Sequence, residues 1–431
     1  AEFAESLRER ATQSMPYSPL TYSLGDENFI PSEGGLHENE HEAFVEFLKG
    51  RYPTVEALNA TWGTQYKTFA EAKPVGATEA GVGREFARYH DSEAFREYLY
   101  AHWHHYCREV IRGVDPTGKV GAEGSVPGEM ELTIRDLEFW GPYRRTDQNT
   151  LLRSLAPRDL LRGNWFGGYN SGRRDPIGLP RFLWETMLDG STMLEVYCSY
   201  TCENFYNTDL TWAPWMEYFL PDLKEVTDGL GQLLARSEHD CDPVAVYHSQ
   251  PSSHFENLSA PFGRFDDAHR AALRMLEDLS YVPYYVTSRQ VEAGILSQKP
   301  PRALVMPHAV ALSDKEAAAL EAYVRGGGTL VADVRPALAD GNCNLRPRPA
   351  LEELFGVERP AGEGKPAKLD VSFEDAAEGK GMDVSLPPMA VPGLTLDSAV
   401  NIAAGRPLGK GGETPAFIVT RVGKGAAVLL V

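Results

Sequence analysis

The stretch YSPLTYSLGDEN, residues 17–28, decides how the rest of the chain is read. Pro19 ends whatever precedes it, and Leu20, Thr21, Tyr22, Ser23 and Leu24 then read as a short buried strand of β-branched, aromatic and aliphatic residues. Gly25 stops that strand and delivers two adjacent carboxylates, Asp26 and Glu27. Successive strand side chains point to opposite faces, so one member of the pair projects into a site at the strand's end. Taken alone, the pattern equally describes a strand end with two solvated acids. The flanking sequence has to decide.

Working outward, residues 3–12 are helix-forming, and a polar loop with several acids follows Glu27 to about residue 40. Residues 41–51 place Phe44, Phe47 and Leu48 on one helical face, and a short helix near 54–62 buries Leu58 and Trp62. Residues 86–114 form a long amphipathic helix closed by Gly113 and Asp115-Pro116. It leads into a strand over 119–123 that again finishes on an acid, Glu123. Three more strands are expected at 137–143, 160–169 and 192–200, with helical stretches around 151–154 and 180–188. Five strands alternating with helices predict a parallel sheet covered by helices, and in a (β/α)₈ barrel the strand ends hold the chemistry.

Near residue 236 the composition changes: all seven tryptophans precede it, and the later part is rich in Ala, Gly, Val and Pro. Strands are expected at 243–249, 282–286, 302–307 and 329–334, with helices at 266–279 and 314–325. That order predicts a small doubly wound sheet. From 365 onward short strands and turns take over, at 368–371 and 416–419 among others.

The formal charge of −19, from 42 basic and 61 acidic residues, argues against nucleic acid and anionic membrane as partners. No apolar run approaches the roughly 20 residues of a membrane-spanning helix. The five cysteines are scattered, and only Cys198 and Cys202 lie close, at a spacing that matches no usual zinc pattern. The chain starts Ala-Glu-Phe and stops inside an expected strand, RVGKGAAVLLV, so both ends read as cut.

Three stretches resemble glycoside hydrolase family 42, enzymes of β-galactosidase type. They are LTYSLGDEN (20–28), AFVEFLKGRYPTVEALNATWGTQY (43–66) and ALVMPHAVALSDKEAAALEAYVRGGGTLVAD (303–333). The first falls where that family ends its fourth barrel strand with an Asn-Glu pair. The second is similar to its helix, Tyr, Leu-Asn and Trp-Gly-Thr signature, and the third to its middle, trimerisation-type domain. The resemblance implies a partial (β/α)₈ barrel, strands four to eight, over 1–236. It further implies a flavodoxin-like or amidotransferase-like doubly wound domain over 237–360, and a β-rich segment over 361–431. It also implies a homotrimer, a carbohydrate substrate and no cofactor.

Several positions depart from that family. Asp26 stands where the family has the Asn that bonds the sugar's 2-hydroxyl. The loop from Asn28 to Glu40 has no cysteine for the zinc site of some members. Strand seven, expected to end on a nucleophilic Glu, reads GNWFGGY over 163–169 with no acid. Glycoside hydrolysis needs two carboxyl groups, one to protonate the leaving oxygen and one to attack or to activate water. Glu27 takes the first role by position and Glu123, ending the next strand, the second. Neighbouring strands are about 4.8 Å apart, so the two reach either retaining or inverting separation. Asp26, Tyr143, Asn164, Trp165 and Tyr169 are the candidate sugar-binding residues, with core packing the bland alternative for the aromatics and for Trp140.

Other acids and motifs are weighed beside these. Glu138 and Glu195 lie inside strands and read as buried ion-pair members, and Glu203 falls on a loop. The run His102-Trp103-His104-His105 reads as a polar helix face rather than a metal site. His248-Ser249 and Ser252-Ser253-His254 lack a nucleophile elbow and read as a loop bonding its own backbone. Gly326-Gly327-Gly328 follows a helix and reads as its cap. The rival to an enzyme is a carbohydrate-binding protein that kept the scaffold and lost the catalytic pair.

Overall fold

The structure is a computed structural model of the chain. It describes all residues except 1, 32–33, 144–145, 167–174, 197–204, 208 and 374–388, and describes only the backbone at 146, 165, 166 and 196. The chain is mixed α/β and divides into two compact units, residues 1–32 with 97–240, and residues 33–96 with 241–431.

In the first unit, β1 (Tyr22–Ser23), β2 (Val120–Glu123), β3 (Phe139–Gly141) and β4 (Leu161–Arg162) form a parallel sheet in chain order. A parallel pair, β5 (Trp165–Phe166) with β6 (Glu195–Val196), follows. The expected strand over 160–169 is therefore divided at Gly163-Asn164. Backbone bonding nonetheless runs on across the break, from Gly163 N to Trp140 O at 3.0 Å and from Glu195 N to Asn164 O at 3.1 Å. The strands are two to four residues long, and glycine allows their close approach. At Gly121 a Cβ would lie 1.9 Å from the Phe139 carbonyl oxygen, so only glycine lets β2 approach β3. Val120, Ala122, Phe139 and Trp140 are buried in this sheet. Helix Gly178–Leu188 buries Leu179, Phe182, Leu183 and Met187 against Trp215, Met216 and Phe219.

The second unit is built on one nine-stranded sheet. Its strands β7 (Val244–His248), β8 (Tyr284–Thr287), β9 (Ala303–Met306) and β10 (Thr329–Asp333) are parallel, in spatial order β10-β9-β7-β8. Beyond the small antiparallel pair β11 (Val357–Glu358) and β14 (Asn401–Ile402), the later strands are β12 (Pro366–Phe373), β13 (Met389–Asp397), β15 (Arg406–Gly411), β16 (Thr414–Val422) and β17 (Gly425–Leu430). β17 pairs parallel with β10, and β16, β15, β12 and β13 continue the same sheet antiparallel. The β-rich segment from 361 is thus hydrogen-bonded into the doubly wound sheet.

Sequence explains these elements locally. Helix Phe265–Asp278 buries Phe265, His269, Leu273 and Leu276, the three-to-four spacing of one helical face. Helix Asp314–Gly326 starts with a capping box: Ser313 Oγ accepts from Glu316 N at 3.1 Å and Glu316 Oε2 accepts from Ser313 N at 2.7 Å. It ends at Gly327, φ +124°, so the triple glycine is a cap as expected.

The stretch 33–96, which the sequence reading placed in the first domain, packs with 241–431. Its Tyr, Leu-Asn and Trp-Gly-Thr signature is an internal brace. Tyr52 Oη and Trp62 Nε1 donate to Asp91 Oδ2 at 2.6 and 2.8 Å, and Arg51 Nε pairs with Asp91 Oδ1 at 2.8 Å. The Asn59 amide holds the turn at Thr64 and Tyr66.

Candidate functional site

The C-terminal ends of β1, β2 and β3 converge because their backbones bond beyond the strands. Leu24 N donates to Gly121 O at 2.8 Å, Glu123 N to Gly25 O at 3.0 Å and Gly124 N to Gly141 O at 2.8 Å. These bonds bring the Asp26-Glu27 turn against the end of β2. Gly124, at φ +88°, sits directly beneath it: a Cβ there would lie 2.9 Å from Glu27 N and 3.3 Å from Asp26 Oδ1. Only glycine satisfies both the left-handed backbone and the space.

Asp26 and Glu27 are exposed on this rim, and Glu27 itself has φ +54°. Tyr143 Oη donates to Asp26 Oδ1 at 2.6 Å. Burial, together with the bonds to Asp26 and Glu27, raises the Tyr143 phenol well above its ordinary range, so it stays a neutral donor. Glu123 is half-buried. Desolvation pushes its carboxyl up, a bond from Ser23 pulls it down, and the Asp26 charge pushes it up again, for a net rise. Burial therefore falls on Glu123 rather than on the exposed Glu27.

Burial falls harder on Glu195, at the start of β6. Its carboxyl occupies space left by two glycines on neighbouring strands. A Cβ on Gly141 would lie 2.3 Å from Glu195 Oε1, and one on Gly163 2.2 Å from the same oxygen. Both carboxyl oxygens are buried without a hydrogen-bond partner. Desolvation first, then the Glu123 and Asp26 charges, raise this group from 4.5 to about 8, so it holds its proton at neutral pH.

Sequence reasoning grouped Glu195 with Glu138 as an ion-pair residue. That holds for Glu138, which pairs with Arg108 and Arg112 and accepts from Val120 N, but Glu195 has no such partner. The signal that was available is a glycine within each of two consecutive expected strands, Gly141 and Gly163.

The remaining candidates divide. Asn164 is buried, with its amide nitrogen donating to Ser191 Oγ at 2.9 Å and its oxygen accepting from Asn149 Nδ2 at 3.3 Å. It therefore braces the β4–β5 break. Trp140 is a core residue whose Nε1 donates to Gly124 O at 3.1 Å. Trp165 contributes its backbone to β5, while its side chain, Tyr169 and Glu203 lie outside the described residues.

Among the described residues no cluster of three or more His, Cys, Asp or Glu is arranged to hold a metal, and no helix is long and apolar enough to cross a membrane. In the histidine run, His104 is buried. It donates from Nδ1 to Tyr100 O at 2.9 Å and accepts from Asn28 Nδ2 at 3.1 Å, which fixes the residue after Glu27. In the second unit Ser249 caps helix Gln250–Leu258, as a loop satisfying its own backbone does.

No family model and no curated protein matches the sequence. Solved structures do match. Gan42B, a GH42 β-galactosidase from G. stearothermophilus, superposes with a TM-score of 0.77 at 14% identity, over 100% of this chain and 68% of that one. The β-galactosidase from Bacillus circulans sp. alkalophilus gives 0.78 at 14% identity, over 99% and 68%. That from the haloarchaeon Halorubrum lacusprofundi gives 0.72 at 17% identity, over 100% and 70%. With the parallel strands and the carboxylate rim already described, these superpositions show that the chain has a glycoside hydrolase family 42-like fold.

Proposed function

We propose that the chain is a glycoside hydrolase acting on β-galactoside-like or other glycosides through carboxylates on the β1–β3 rim. The observation that carries this reading is the electrostatic coupling of Asp26, Glu123 and Glu195, with Glu27 and Tyr143 on the same rim. In this reading Glu27, accessible and fixed by the Gly124 turn, protonates the leaving oxygen. Glu123 attacks the anomeric carbon or activates water. Glu195 keeps its proton and so spares Glu123 a second negative charge, while Tyr143 orients Asp26 toward a sugar hydroxyl. The same reading takes residues 1–236 as barrel strands four to eight, 237–360 as a flavodoxin-like trimerisation-type domain and 361–431 as its extension. It also takes the assembly to be a homotrimer, which light scattering tests directly.

The kinetic test uses aryl β-galactosides with good and poor leaving groups. Glu27→Gln is expected to lower turnover of poor leaving groups by about 10²–10⁴-fold and to spare activated ones. Glu123→Gln is expected to lower both. Intact turnover in either variant removes the assignment. The rival, a carbohydrate-binding protein, is favoured by the absence of an acid in GNWFGGY. Saturable galactose binding without turnover of any aryl glycoside by the wild type would put it ahead.

A further inference from the structure

The second unit carries a cavity that the reading above does not use. Its volume is about 350 Å³, and Ser253, Glu256, Asn257, Ala260, Arg264 and Phe265 line it. It lies beside helix Gln250–Leu258, which leaves the C-terminal end of β7. The chain passes from β7 to β8 on one side, then to β9 on the other, so the connections diverge between the ends of β7 and β9. Ligands of open α/β sheets bind at such divergence points, outside the strand ends.

Charge is already balanced there. Glu256 Oε1 accepts from His308 Nδ1 at 2.7 Å, just past β9, and Arg335 Nη2 lies 3.7 Å from the same oxygen. Asp333, ending β10, accepts from His308 N at 2.6 Å and places Oδ2 3.8 Å from His308 Nε2. Burial lowers the His308 imidazole, but the Glu256 bond and the Asp333 charge outweigh it for a net rise. Glu256 thus has an imidazole and a guanidinium against it, and Glu363 and Asp397 also act on Arg335. The Glu256 side chain is only 3% exposed, yet its second oxygen, Oε2, has no donor in the protein. A buried acceptor left unpaired costs about 1–3 kcal/mol, so a ligand that donates to it is favoured.

We propose that this cavity binds a neutral polyhydroxylated small molecule of monosaccharide size. Of the lining side chains, Glu256 and Asp266 would repel an anion, while Arg264, together with the pairing of Glu256 by His308 and Arg335, disfavours a cation. A hydroxyl donates to Glu256 Oε2, the Arg264 guanidinium and the Asn257 amide pair with further hydroxyls, and Phe265 offers apolar area to the C–H face. The volume falls in the range of small-molecule sites, about 300–1,000 Å³.

The test is local, so that sugar binding elsewhere does not enter it. The Ala260 methyl resonance, assigned with Ala260→Gly in alanine-methyl-labelled protein, is followed while D-galactose or D-glucose is titrated into the millimolar range. A saturable shift is expected. It should vanish in Ser253→Phe, which fills the cavity, and weaken roughly tenfold in Arg264→Ala, an exposed position that leaves the fold intact. The inference is overturned if neither hexose moves the signal, if the shift persists in Ser253→Phe, or if inorganic phosphate or ethylammonium moves the signal and the hexoses do not.

Discussion

Two glutamates, Glu195 at the start of β6 in one unit and Glu256 on helix Gln250–Leu258 in the other, meet burial in opposite ways. Glu195 in the first unit lies over Gly141 and Gly163 with neither oxygen bonded. Glu256 in the second is clamped by His308 and Arg335. A buried carboxylate costs several kcal/mol unless it is paired or takes a proton. The first glutamate takes a proton and the second takes cations. The surroundings differ in the same sense: the first unit's strands are two to four residues long, whereas β7–β10 enclose a continuous core of Tyr247, Val286, Leu304, Met306, Leu330 and Ala332. The candidate chemistry lies in the unit of short strands, and the regular core in the other.

The contrast is broken most directly by removing each charge. Between pH 4.5 and about 8 the folded chain keeps a proton on Glu195 that the unfolded chain has released. Stability therefore falls as pH rises through that window, and outside it this group adds no further pH dependence. Glu195→Gln is expected to raise stability by up to about 5 kcal/mol at pH 8 and to change it little at pH 4.5, read from urea midpoints at both pH values. Glu256→Gln is expected to do the reverse, losing about 1–3 kcal/mol at neutral pH because His308 and Arg335 lose their shared partner and keep only Asp333 and the more distant acids. Equal effects of the two substitutions would dissolve the distinction.

Smaller changes sharpen it. Leu304→Ala, fully buried in β9, should cost about 2–5 kcal/mol through the cavity it leaves, measured by thermal unfolding. Gly124→Ala should cost about 1–3 kcal/mol from backbone strain, and it should also lower kcat by displacing the Glu27 backbone. A kcat left unchanged would separate this turn from the catalytic rim. Ser313→Ala removes one half of a capping box and should cost about 0.5–2 kcal/mol with no effect on turnover.

Much of the architecture was legible before any coordinates. The strand positions in the second unit agree with the sequence reading within a few residues, because an apolar run of four to six residues bounded by glycine, proline or a capping box has few alternatives. The turn at Gly25-Asp26-Glu27 and the acid ending β2 were likewise visible. Less legible were the first unit's strand lengths. Pairing there depends on close approach at glycines such as Gly121, a contact with a strand distant in sequence.

The sequence by itself therefore determined the alternation of strands and helices, the resemblance to family 42, and Glu27 and Glu123 as rim carboxylates. The alternation and the strand-end acids follow from local periodicity and short-range turn chemistry, and the resemblance from three motif stretches. Tertiary structure decided which acid holds a proton, that Asn164 braces the β4–β5 break, that the family signature around Tyr52, Asn59 and Trp62 closes on Asp91, and that the last strands join the doubly wound sheet. The physical reason is common to all four. Desolvation, hydrogen-bond satisfaction and strand pairing depend on neighbours brought from up to about a hundred residues away, and no local pattern records which neighbours those will be.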